Sequence, residues 1–149
     1  SDPRVNFIFK DGTAFVKEKR DYLYDVIIVD SSDPVGPAVK LFELDFYKDL
    51  YNNLNEDGLV VCQSESPVFY SEMMVNINRR LSNIFPIVKL YMTTVPTYPG
   101  GFWTFTMGLK KYYKPNPDKF DKETEYVNKE IIKSCFAIPN FVKKQLSID

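Results

Sequence analysis

Apolar residues fall along this chain in short continuous runs, separated by segments in which they recur at helical spacing. Val5-Asn6-Phe7-Ile8-Phe9-Lys10 loosely alternates bulky and polar residues and stops at Asp11-Gly12, which predicts a strand and a turn. Thr13 to Arg20 follows as a short helix with Phe15 and Val16 inward. No polar residue lies between Asp25 and Asp30, and the strand Asp25 to Val29 is predicted to be buried on both faces of a parallel sheet. Phe46, Leu50 and Leu54 recur at helical spacing, Glu56-Asp57-Gly58 ends that helix, and Leu59 to Cys62 is the next strand. A longer helix spans Val68 to Ile84, with Phe69, Met73, Ile77, Leu81 and Ile84 on its core face. Two more strands, Ile87 to Thr93 and Trp103 to Lys110, are joined by Val95 to Gly101, a connection too short for a crossover helix. They must form an antiparallel hairpin at the end of the sheet. Helical spacing returns near Lys122 to Ile132, and a last short helix after Pro139 has Phe141, Val142 and Leu146 on its apolar side. Strand, helix, strand is the rhythm of an α/β fold with a mostly parallel sheet.

Composition narrows the function classes. At 149 residues and 44% apolar content, the chain fits one domain with a real core. The 19 basic and 20 acidic residues leave a formal charge of −1, so no whole-chain field favours nucleic acid or an anionic membrane. No apolar run approaches the ~20 residues that span a bilayer, and the polar start is no signal peptide, so a cytoplasmic protein is expected. Cys62 and Cys135 are far apart without metal-ligand spacing and are expected to be reduced core residues. The absence of histidine removes Ser-His-Asp and Cys-His nucleophile schemes, leaving carboxylates, lysines or tyrosines as general bases. Lys110 to Pro115 is basic and aromatic, and reads as a solvated strand end with tyrosines lying over the core.

Chemistry concentrates beyond the strand ends. In open α/β sheets ligands bind in the crevice outside the carboxyl ends of strands. There this chain places Asp30-Ser31-Ser32-Asp33-Pro34-Val35-Gly36-Pro37 and, on the same rim, Gln63-Ser64-Glu65-Ser66-Pro67. Taken alone, the first segment serves equally well as a capping or turn sequence. Asp11-Gly12 alone is an ordinary strand-ending turn, and Tyr98 between prolines could simply brace its loop.

Taken together, these pieces resemble the aminopropyltransferases, the spermidine synthase family. The resemblance rests on Asp11-Gly12, on Asp30 to Pro37, on Gln63-Ser64-Glu65, on Pro96-Thr97-Tyr98-Pro99-Gly100-Gly101 followed by Phe102 to Thr106, and on Phe136 to Phe141, all in the family's order. It implies a class I methyltransferase-like Rossmann fold, here partial, ending in an antiparallel hairpin. It also implies transfer of an aminopropyl group from decarboxylated S-adenosylmethionine to putrescine, giving spermidine and 5′-methylthioadenosine. The donor is a co-substrate; no metal or other cofactor is implied, nor any nucleic-acid or membrane partner, and the full-length protein is expected to be a homo-oligomer. By resemblance Asp30 accepts the proton of the attacking amine. The diamine site would comprise Asp30, Ser31, Ser32, Asp33, Gln63, Glu65 and Tyr98, with Glu65 meeting the distant ammonium. Asp11, Gly12 and Pro37 would contact the nucleoside.

The chain also departs from the family. Its N-terminal β-rich segment, the glycine-rich nucleoside loop and the ribose-binding acid are not present, and neither are the first Rossmann strands. These strands would lie between the Val5 and Val26 strands, leaving raw sheet edges. Residues 1–149 are thus expected to be the C-terminal part of the catalytic domain, poorly active alone. Two other readings stay open: a non-catalytic polyamine- or nucleoside-binding relative, and a methyltransferase using intact S-adenosylmethionine.

Overall fold

Alternation along one strand divides the molecule into two faces. In the computed structural model, which describes residues 2–31, 36–113 and 115–148, β1 spans Tyr24–Val29 and β2 spans Leu54–Gln63. Val60 and Cys62 of β2 are buried on one side, while Val61 and Gln63 face the other. β1 runs parallel to β2, with Val26 opposite Leu59 and Val29 opposite Cys62. β3 (Ile87–Thr94) and β4 (Phe102–Leu109) form the expected hairpin, and β4 inserts beside β2, giving the order β1-β2-β4-β3. The sheet is therefore mixed and not mostly parallel. Because the hairpin folds β4 back against β2, both of its pairings are antiparallel.

Helices cover the Val60 face. α1 (Gly12–Lys17) precedes β1, α2 (Leu44–Asn52) joins β1 to β2, and α3 (Ser71–Ser82) joins β2 to β3. Phe46, Tyr47 and Leu50 of α2 meet Ile77 and Leu81 of α3 over Leu54, Val60 and Cys62. Each such side chain, fully buried, contributes about 1.5–3 kcal/mol. Burial pushes the Cys62 thiol up to about 12 and raises the Tyr47 phenol as well, so both are inert core groups. Cys135 is a half-buried free thiol. Two short helices, α4 (Lys129–Ser134) and α5 (Asn140–Leu146), close the chain, with Val142 packed against Met74 and Leu90. On the opposite face the tail lays Phe136 against Tyr91 and Tyr113 against Phe136, while Tyr112 is exposed. Among the described residues no helix is long and apolar enough to cross a membrane.

Several expectations are corrected. Residues 5–10 form no strand, and Phe9 is 95% exposed. An extended segment needs a neighbour for its backbone groups, and none of the described strands lies beside it. β1 is buried on one face only: Ile27 and Val29 meet the core, whereas Val26 and Ile28 are 51% and 73% exposed. Among the described strands it lies at the sheet's edge, and its second face is exposed. α1 is shorter than Thr13 to Arg20, because Arg20 turns back and donates to the Phe15 carbonyl oxygen. Leu54 belongs to β2 and not to the preceding helix. Asn53 stops α2, its side-chain amide donating to Asp49 O and Val16 O, and residues 55–58 bulge out between the Leu54 and Leu59 pairings. Glu56-Asp57-Gly58 is thus an irregularity inside a strand. α3 starts only at Ser71, leaving Phe69 exposed before it, and its buried residues are Met74, Ile77 and Leu81. Residues 121–128 are not helical: Tyr126 and Val127 stay exposed among charges, and α4 begins where Asn128 Oδ1 accepts the Ile131 N–H at 2.7 Å.

Phe85 lies directly over Gly108, where an added Cβ would sit 2.7 Å from the ring's Cγ. Because Phe85 is buried and cannot swing away, Gly108→Ala should destabilise the fold by about 1–3 kcal/mol. Urea unfolding checks this: the midpoint should fall while the m-value stays unchanged.

Candidate functional site

Parallel pairing brings two strand exits together. Val29 lies opposite Cys62, so Asp30 and Ser31 leave β1 beside Gln63 at the end of β2. Gln63 in turn faces Phe105 of β4, and Phe105 faces Tyr91 of β3, so the three form one row across the open face. The Tyr91 and Phe105 rings stack at 5.1 Å. The hairpin loop adds Tyr98, whose ring packs 4.3 Å from that of Trp103. Gly100 and Gly101 make that loop possible, with φ of 76° and 69°, and a Cβ on Gly100 would press within 2.9 Å of Phe69.

These groups line a cleft of about 510 Å³. Asp30, Ser31, Gln63, Glu65 and Tyr98, all expected from the sequence, meet in it. Asp30 is exposed, whereas Glu65 is only 3% exposed and has a φ of 68°, unusual for a residue with a side chain. The Gln63 amide reads Glu65 twice: Nε2 donates to Glu65 Oε1 at 2.9 Å, and Oε1 accepts the Glu65 N–H at 2.5 Å. Gln63 Nε2 also reaches the Ser31 carbonyl at 3.4 Å, tying the two strand exits together. The cleft thus has carboxylates at Asp30 and Glu65 and an aromatic wall between them and the hairpin, an arrangement suited to a cation with an apolar body.

A second cleft of about 450 Å³ lies between α1, β1 and α2, lined by Gly12, Phe15, Tyr24, Leu41 and Phe46 among others. Asp30 and Ser31 line this one too. Asp11 is not among its lining residues. Its Oδ1 caps α1, accepting from the Thr13 hydroxyl at 2.5 Å and the Ala14 N–H at 2.9 Å. Pro37 falls in the 3-10 helix Gly36–Phe42, its side chain outside the described residues, as are Ser32 and Asp33. Among the described residues no group of three or more Cys, Asp or Glu side chains could hold a metal ion. Tyr91, Trp103 and Phe105 were not anticipated as cleft residues. Counting the hairpin register outward from the loop would have placed Tyr91 opposite Phe105 on one face of the hairpin.

The spermine/spermidine synthase domain model matches residues 1–119. The chain belongs to the spermine/spermidine synthase family. It is 47% identical over 148 residues to a polyamine aminopropyltransferase of Thermoanaerobacter sp. (strain X514), covering 95% of this chain and 52% of that protein. A polyamine aminopropyltransferase of Bacillus subtilis (strain 168) is 46% identical over 144 residues, again with 95% and 52% covered. Among solved structures, a spermidine synthase in complex with the transition state analogue AdoDATO superposes with a TM-score of 0.91 at 37% identity, covering 98% of this chain and 52% of that one. The spermidine synthase from Thermotoga maritima gives 0.88 at 36% identity, with 98% and 51% covered. The chain thus has the methyltransferase-like α/β fold of these family members and spans about half their length.

The Asp11 cap has a pH dependence of known sign. The Thr13 hydroxyl first, then the Ala14 N–H, hold its carboxyl below the ordinary value of 3.8. The cap is therefore fully present above 3.8 and is lost as pH falls through the lower folded value. In an NMR titration the Ala14 amide should shift with a midpoint below 3.8, and Asp11→Asn should remove that titration.

Proposed function

We propose that this chain is the C-terminal part of the catalytic domain of an aminopropyltransferase of the spermidine synthase type. Its four strands are then the later strands of a class I methyltransferase-like Rossmann sheet. One observation carries the reading: Asp30 and Ser31 line both clefts. A carboxylate shared by two neighbouring cavities can serve a reaction between two bound molecules, with the diamine in the acidic and aromatic cleft and the nucleoside of decarboxylated S-adenosylmethionine beside Gly12. Asp11 supports that second site indirectly, by fixing the start of α1, and Pro37 and the strand-end residues Ser32 and Asp33 keep the roles the family pattern gives them.

The chemistry is an in-line displacement. A primary amine with pKa about 10 is mostly protonated at neutral pH and cannot attack. Asp30 accepts its proton, directly or through water; the freed lone pair forms the nitrogen–carbon bond as the carbon–sulfur bond breaks. The sulfonium takes that electron pair and leaves as the neutral thioether 5′-methylthioadenosine. Gln63 and Tyr98 orient the attacking end, and Glu65 neutralises the distant ammonium of putrescine. No metal takes part, and the decarboxylated donor is the only co-substrate. The reading also places the protein in the cytoplasm as part of a homo-oligomer, without nucleic-acid or membrane partners. Because the chain spans about half its relatives, and one face of β1 is open, it should turn over poorly by itself.

The test joins this chain to the preceding half of the Thermoanaerobacter relative and incubates the product with decarboxylated S-adenosylmethionine and putrescine. Mass spectrometry should find spermidine and methylthioadenosine in equal amounts, with far less from the 149-residue chain alone. Asp30→Asn should lower kcat by about 10²–10⁴-fold, the usual loss for a general base. A methylated amine, or no product from the joined protein, would sink the proposal.

A further inference from the structure

Where β2 leaves the sheet, its ladder with β4 goes out of step. Gln63 still pairs with Phe105. The next residue, Ser64, donates its N–H to Thr104 O at 2.9 Å, but the Thr104 N–H donates to Glu65 O at 3.0 Å. Two residues therefore oppose one, which is a β-bulge, a device that re-aims side chains beside active sites. The Thr104 side chain closes this bulge. Its Oγ1 lies 2.7 Å from Glu65 O and 2.9 Å from Ser64 O, and its one proton is shared between these carbonyls. Ser64 and Thr104 are completely buried, and neither lines the cleft. Behind them the Ser64 hydroxyl lies 2.8 Å from Thr106 Oγ1 and accepts the Thr106 N–H at 3.1 Å.

This network explains how Glu65 keeps a φ of 68°. A residue with a Cβ holds that conformation only where its surroundings over-determine it. Here the Glu65 N–H is taken by Gln63 and its carbonyl by Thr104, so rotation to negative φ would break bonds on both sides. The backbone torsion in turn sets where the carboxylate stands against Gln63 and in the cleft.

We propose that Thr104 is a positioning residue for the acidic end of the cleft, holding Glu65 at the distance from Asp30 that selects the length of the diamine. The inference rests on the aminopropyltransferase reading. Valine matches threonine in shape but lacks the hydroxyl, whereas serine keeps it.

The joined protein is assayed with four- and five-carbon diamines. Thr104→Val should raise the KM for the four-carbon diamine about tenfold with kcat changed no more than about twofold, the pattern of lost ground-state binding. It should also flatten the preference between the two diamines and leave the KM for the sulfonium donor unchanged, and Thr104→Ser should restore both properties. An unchanged diamine KM and preference overturns the proposal. So does a fall in kcat together with a rise in both KM values, since that marks a general disturbance of the site. If the unsubstituted protein makes no spermidine, the functional reading fails, and the clamp is judged by NMR of the chain itself. There the Glu65 coupling constant and carbon shifts should report positive φ in the wild type and in Thr104→Ser, and not in Thr104→Val; positive φ kept in the valine variant overturns the clamp. Should the valine variant not fold, the wild-type Thr104 hydroxyl proton decides: a slowly exchanging resonance supports the clamp, and its absence overturns it.

Discussion

β2 has to satisfy two neighbours of opposite direction at once. One edge is bonded parallel to β1 and the other antiparallel to β4, so its register is fixed from both sides. A slip of one residue would turn Val60 and Cys62 out of the core and Gln63 into it. The hydrophobic face therefore specifies where the polar end must lie. Because Val29 and Cys62 are paired, Asp30 and Gln63 emerge side by side without any local sequence having to direct them there. Site geometry is in this sense a by-product of core burial several residues earlier.

The cleft that results combines two costs with one gain. Glu65 is buried and held at positive φ, and a carboxylate taken out of water is unfavourable unless it is bonded. The Gln63 amide supplies bonds to both its carboxylate and its backbone N–H. What is gained is an acid whose orientation is fixed before any ligand arrives. Pre-organisation of that kind reduces the entropy lost on binding. Asp30, by contrast, stays exposed just beyond the end of β1, where the proton acceptor of the proposed reaction would remain reachable by water.

The sequence was legible where burial was local and failed where it depended on absent or distant neighbours. The hairpin followed from the shortness of Val95 to Gly101, and the core positions Ile77 and Leu81 from helical spacing. The apolar run of β1 reads as a strand covered on both sides, but covering requires partners that the described residues do not include, and Val26 and Ile28 stay exposed. Val5 to Lys10 failed for the same reason. Leu54 misled because an i, i+4, i+8 pattern with Phe46 and Leu50 continued across a helix end that Asn53 fixes through its side-chain bonds. At the site, five of the residues expected from motifs meet in one cleft. The aromatic wall is not legible because Tyr91 belongs to no motif and Phe105, within the Phe102 to Thr106 segment, carries no role there; only the pairings of β4 with β2 and β3 place both on the face of Gln63. The Thr104 bulge was beyond pattern reading altogether, since it shows only as a mismatch of hydrogen-bond partners.

The two halves of the proposed site are unequally held, and this bears on what half a domain can do. The acidic cleft has Ile28 and Val29 of β1 on one side but is otherwise framed by β2, β3 and β4, which are bonded to one another and backed by the buried Ser64, Thr104 and Thr106 hydroxyls. The cleft beside Gly12 leans on α1, a helix of six residues with none buried, and on β1 at the edge of the sheet. An in-line displacement gains its rate from holding both reactants within a few tenths of an ångström of the attacking geometry, and misplacing one by about 1 Å can cost about 10²-fold. In the proposed reaction a rigid wall for the amine could not compensate for a loose one on the sulfonium side, because the reaction coordinate joins the two. In the proposed reading, recognition of the acceptor and turnover thus differ in what they need: the first draws mostly on strands that this chain bonds to one another, and the second also requires that the exposed edge of β1 be completed.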